Sequence, residues 1–166
     1  NSDITIEIPA QPYNGSELTP VVTVYDNDSE VSDEHYTITL PEGRTNAGDY
    51  TIGIHAKEGS TEYVGETGAT FIISRKAVTI TAGSDSRTYD GTALNKNTFT
   101  ATPLESGDTH TFTVEMTSES TITDVGTQPN VIAKVDDVAV KTGEETIVGN
   151  YLVATVNGTL TISPIS

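Results

Sequence analysis

The sequence has no cysteine and no tryptophan, one methionine and three phenylalanines among 166 residues. Without cysteine there can be no disulfide staple and no thiol nucleophile or soft metal ligand. The compartment stays open on this point, because many exported bacterial proteins also lack cysteine. With few large rings and 34% hydrophobic residues, the cores must be small and built from Val, Ile, Leu and Tyr. Positive charge is scarce as well: 8 Lys and Arg stand against 24 Asp and Glu, for a net charge of −16. That charge repels phosphate backbones and anionic lipid, which argues against nucleic acid and membrane surfaces as partners, and it keeps an exterior soluble. No apolar run approaches the roughly 18 residues that suggest a membrane span, and no basic-then-apolar leader opens the chain.

What the sequence does contain is a repeat. Tyr13-Asn14-Gly15-Ser16-Glu17-Leu18 is echoed by Tyr89-Asp90-Gly91-Thr92-Ala93-Leu94, each a few residues after an alternating apolar strand. In both turns glycine can take positive φ and the Asn or Asp side chain can cap the following backbone, with the tyrosine as a packing ring. The echo divides the chain into residues 1–75 (3 basic, 13 acidic) and 76–166 (5 basic, 11 acidic).

Strand periodicity runs through both halves. Ile4, Ile6 and Ile8 alternate with polar residues, as do Tyr36, Ile38 and Leu40, then Tyr50, Ile52 and Ile54, with Val64 and Phe71 to Ile73 completing the first half. The second half restates the opening with Ala77 to Thr81 and continues through Phe99, Phe112, Val114 and Met116. Ile122 to Gly126 matches Thr45 to Gly48, and extra loop is expected between Asp136 and Gly149. Asn157-Gly158, between Tyr151 to Val156 and Thr159 to Ile162, predicts a hairpin with a type I′ turn. No helical period lasts ten residues. The fold class is therefore all-β, as two tandem small β-sandwich domains. The joint Ser74-Arg75-Lys76 is too short for free tumbling, so the expected arrangement is elongated.

Candidate chemistry is sparse. Asp26, Asp28 and Glu30 alternate in a loop, with Asp33 and Glu34 nearby, and could aim oxygens at one calcium ion. The loop lacks the glycine and spaced glutamate of a helix-flanked calcium loop, so the competing reading is a solvated acidic loop with no cofactor. His35 and His55 fall on the solvent phase of their strands, and His110 falls at a strand start in the apolar phase. No serine elbow or phosphate-cradling loop is present, so no catalytic residue is assigned and the chain is not read as an enzyme. Asn14, Asn27 and Asn157 lie in glycosylation sequons, though turn chemistry already accounts for Asn14 and Asn157.

The second half resembles the MBG-type repeat domains carried in tandem on large bacterial surface proteins. The likeness rests on Lys76 to Ile80, Tyr89-Asp90-Gly91-Thr92-Ala93-Leu94, Ser106-Gly107-Asp108, Ile122 to Gly126, and Asn150-Tyr151 through Asn157-Gly158 to Ile162. The first half is a divergent cousin, similar to bacterial Ig-like repeats, with Asn14 in place of the aspartate and no mid-domain Gly-Asp element. The resemblance implies that both are Ig-like β-sandwich domains, as non-catalytic stalk modules of an adhesin-like protein on an extracellular bacterial surface. Partners would be neighbouring repeats, with a host protein or glycan as the alternative, and the state a monomer. It implies a segment of a longer protein, with signal and anchor outside it, and leaves the sequons without a role. Surface repeats can also carry a lysine–asparagine isopeptide cross-link, for which Lys76 with Asn150 or Asn157 is the candidate set.

Overall fold

The computed structural model describes residues 4–57 and 65–165. The chain is all-β, and it divides into two compact units, Asn1–Arg75 and Lys76–Ser166. No helix among the described residues is long and apolar enough to cross a membrane. Tyr63 and Val64, expected in a strand, lie outside the described residues.

In the first unit the strands are β1 (Ile4–Glu7), β2 (Gln11–Pro12), β3 (Thr23–Asp26), β4 (Ser29–Glu30), β5 (Tyr36–Thr39), β6 (Gly48–Ala56) and β7 (Glu66–Ser74). They form two sheets, β1-β3-β4 and β2-β7-β6-β5, in a sandwich-like arrangement. Period-two alternation puts Ile52, Ile54, Phe71 and Ile73 into the core with Val24, Val31 and Tyr13, while Ile72 faces out. β5 is an edge strand, which leaves Ile38 half-exposed rather than buried. Buried Arg44 donates to the carbonyls of Leu18 (2.9 Å) and Pro41 (2.6 Å), fastening the turn after Tyr13 to the loop before β6.

In the second unit the strands are β8 (Lys76–Ala82), β9 (Asp85–Thr88), β10 (Phe99–Ala101), β11 (Val114–Met116), β12 (Gly126–Asn130), β13 (Ile132–Val135), β14 (Val138–Ala139), β15 (Glu145–Val148), β16 (Tyr151–Val156) and β17 (Gly158–Ser163). They make the sheets β10-β8-β16-β15, β11-β13-β14 and β12-β17-β9. Val78, Ile80, Ile132, Val135, Val153, Leu160 and Ile162 are the most deeply buried residues of the core, with Leu94, Phe112, Val148 and Tyr151 around them. In the stretch expected to be extra loop after Asp136, Val138–Ala139 and Glu145–Val148 are the short strands β14 and β15, and residues 140–144 between them are loop.

The predicted hairpin at Asn157-Gly158 does not form. β16 pairs with β8 and β15, whereas β17 pairs with β12 and β9, so the chain passes from one sheet to another at this dipeptide. β8 and β9 make the same transfer alongside it, at Gly83 and Ser84. A Cβ on Gly158 would lie 2.7 Å from the Ala82 carbonyl oxygen, so the residue is needed for close backbone approach and not for positive φ. The hairpins that do use two positive-φ residues turn on Asn27-Asp28 (φ 50° and 71°) and Asp136-Asp137 (φ 48° and 65°), without glycine.

Candidate functional site

The two tyrosine turns occupy the same place in the two units. The Tyr13 amide donates to the Ser74 carbonyl (2.9 Å) and the Tyr89 amide to the Ser163 carbonyl (2.8 Å), each tying its turn to the last strand of its unit. Asn14 Oδ1 accepts from the Ser16 amide (2.9 Å) and Asp90 Oδ1 from the Thr92 amide (3.0 Å), while Gly15 and Gly91 take φ of 83° and 81°. The Leu18 amide then donates to Arg44 and the Leu94 amide to Ile122, four residues ahead of Gly48 and Gly126 respectively. The repeated sequence is thus one backbone framework built twice.

The rings are not equivalent. Tyr13 is buried at 8% exposure, but Tyr89 is 37% exposed, and its hydroxyl lies 3.9 Å from where a Gly91 Cβ would stand. Tyr89 therefore arches over its own turn instead of packing in the core. Beside it Arg87 donates to the carbonyl and hydroxyl oxygens of Thr92 and lies 3.3 Å from Asp90.

Hydrogen bonds from the Thr92 hydroxyl and amide, helped by Arg87, hold the Asp90 carboxyl below the usual carboxylate range. A depressed folded-state value means that this contribution to stability is present above the unfolded pKa of about 3.9 and is lost as pH falls through the lower folded value. Asp90→Asn keeps the turn acceptor, as Asn14 does in the first unit, and removes the titration. Thermal melts from pH 5 to pH 2 should show a shallower acid decline for the variant; an unchanged decline would refute the assignment.

The acidic residues proposed for calcium do not converge. In the β3–β4 hairpin Asp26 is opposite Ser29 and Tyr25 is opposite Glu30, so Asp26 and Glu30 face opposite sides of the ribbon. Glu7 and then Glu30 are the charges that raise the Tyr25 phenol above its ordinary value, which places Glu30 on the Tyr25 side. Among the described residues no group of three His, Cys, Asp or Glu is placed to hold a metal ion.

Of the isopeptide set, Asn150 is a backbone neighbour of Lys76 and Asn157 is remote from it. The Lys76 ammonium lies 2.8 Å from Glu105, and the Lys76 amide donates to the Asn150 carbonyl. Lys76 pairs with Tyr151 in parallel register, so Asn157 stands six residues further along, roughly 20 Å at ~3.3 Å per residue. That asparagine accepts instead from the Thr142 hydroxyl (2.7 Å).

No family model, curated protein or solved structure matches the chain.

Sequence reasoning passed over the densest polar and aromatic cluster, in the second unit. His110 stacks on Tyr151 with centroids 5.2 Å apart and meets Phe112 edge-on at 4.8 Å. Its Nε2 lies 2.6 Å from Asp136 Oδ2, while Asp136 Oδ1 accepts from the Thr113 amide (2.8 Å). Asp108 accepts from the His110 amide (3.0 Å) and the Tyr151 hydroxyl (2.6 Å). A histidine–carboxylate pair could serve a nucleophile, but the hydroxyls beside it are bonded to carboxylates, Thr113 to Asp136 (3.3 Å) and Tyr151 to Asp108 (2.6 Å). The cluster secures the long stretch between β10 and β11 to β16. His55 is likewise paired, 2.8 Å from Glu66, and His35 belongs to a 3₁₀ turn over Asp33–His35 and not to a strand.

A cleft of about 570 Å³ opens in the first unit between β1 and β3 on one side and β6 and β7 on the other. Ile4, Ile6, Val24 and Ile54 line it, with His35 and Glu66 at the polar margin.

Proposed function

We propose that the chain is a pair of non-catalytic Ig-like spacer modules, of MBG type in the second unit, from the stalk of a bacterial surface protein. The observation that carries this reading is the duplicated framework, whose polar side chains are spent on the chain's own backbone. Asn14 and Asp90 each accept from an amide of their own turn, and Arg44 and Asp108 likewise bond backbone groups, so these side chains fix turns and loops. The acidic composition, with a net charge of −16, supports an exterior that stays soluble and repels like chains.

A second reading, that one module binds a host protein or glycan, is favoured by the exposed Tyr89 ring, since sugars stack their apolar faces on such rings. The two are separated by measuring the immobilised chain against a glycan array and host matrix proteins. The spacer reading expects no saturable binding. Saturable binding that Tyr89→Ala abolishes would replace it with the second.

A further inference from the structure

The two units hold their ends together differently. In the second, the entering strand β8 runs parallel to β16 over six registered pairs, from Lys76 with Tyr151 to Thr81 with Val156. β9 then runs parallel to the exiting strand β17 over four pairs, from Asp85 with Leu160 to Thr88 with Ser163. Backbone bonds from Lys76 to Asn150 and from Tyr89 to Ser163 extend the two ladders. Inward Val78, Ile80, Tyr151 and Val153 are buried, so one face of the longer ladder is closed to water.

Tension on the ends of this unit draws β8 and β9 backward and β17 forward. Because the paired strands are parallel, the load falls along them and strains all the ladder bonds together instead of opening them singly from one end. In the first unit, among the described residues, only β2 and β7 are paired in this way, through Gln11 with Ile73 and Pro12 with Ser74, plus the bond from Tyr13 to Ser74. Among the described residues β1 pairs with β3 alone.

We propose that the chain is a graded mechanical element: residues 76–163 form a shear clamp, and the first unit yields before it under tension. The inference goes beyond the spacer reading, and its failure would leave that reading standing, because a stalk need not be graded.

Single-molecule pulling of the full chain from its two ends tests it, since forced unfolding reports the barrier directly. At about 3.4 Å per residue the first unit, Asn1–Arg75, releases at most about 250 Å, and the second, Lys76–Ser166, about 310 Å. The shorter release should come first, and the longer at severalfold higher force. A second measurement attaches handles through Ala77→Cys and Ile147→Cys, exposed positions that both register with Leu152. Pulling across the strands there should unfold the same unit at severalfold lower force, with its urea midpoint unchanged. The longer release coming first, or equal forces in the two pulling geometries, would overturn the proposal.

Discussion

Replacing Gly158 with alanine should unfold the second unit at markedly lower urea concentration while the first unit keeps its transition. The added methyl would meet the Ala82 carbonyl oxygen at 2.7 Å and the Gly83 carbonyl carbon at 2.7 Å, with the Gly83 oxygen closer still. All three are backbone atoms, so no rotamer change can make room. Two strands would have to separate where both change sheets, and the Thr159 amide would be drawn from the Ser84 hydroxyl (2.9 Å). Overpacking of a well-packed site costs about 1–3 kcal/mol, and a contact with fixed backbone belongs at the upper end of that range. The first unit supplies the control. Ala69 stands four residues before Ile73, as Gly158 does before Ile162, yet it is an ordinary β7 residue paired with Ile52, because β7 stays with one sheet. A shift in urea midpoint without a change in slope is the expected signature, and an unchanged midpoint would sink the close-approach argument.

Asn130→Ala should be comparably damaging. Asn130 is fully buried, and its amide nitrogen donates to the carbonyls of Gly83 (2.8 Å) and Lys96 (2.7 Å), joining the sheet-changing segment to the loop before β10. Removing the amide leaves two carbonyls without their donor, at about 1–3 kcal/mol for each buried group so orphaned. Asn130→Asp is the sharper test because it keeps the shape and reverses the chemistry. An ionised carboxylate cannot donate to either carbonyl, and burial raises its folded-state pKa above the unfolded value. The variant is then least destabilised at acid pH, with the proton in place, and loses stability as pH rises through the raised value. The loss of urea midpoint relative to the parent protein should therefore be larger at pH 7 than at pH 4 for Asn130→Asp, and the same at both for Asn130→Ala. Equal behaviour of the two variants would remove Asn130 from this role.

Local features were legible in the sequence and contacts between distant segments were not. Alternation located β6, β8 and β16 because burial on one face leaves a period of two in the residues themselves. The Asn14 and Asp90 turns were readable because their bonds span two residues. The Asn157-Gly158 dipeptide misled for a definite reason: glycine is required both where φ must be positive and where a neighbouring backbone leaves no room, and the sequence does not distinguish these demands. The acidic trio looked convergent because alternation alone does not reveal that a two-residue turn sends Asp26 and Glu30 to opposite faces. Asn130 and Arg44 carried no local mark, since their partners lie up to 47 and 26 residues away.

The parallel pairing of β8 with β16 also governs when the second unit can finish folding. Lys76 finds its registered partner Tyr151 only 75 positions later, so during synthesis the first strand of the unit must wait for nearly the last. Such distant pairing folds slowly, and until β16 emerges from the ribosome the β8 edge is open to any other strand nearby. The acidic surface, which repels like chains, protects the molecule through that interval.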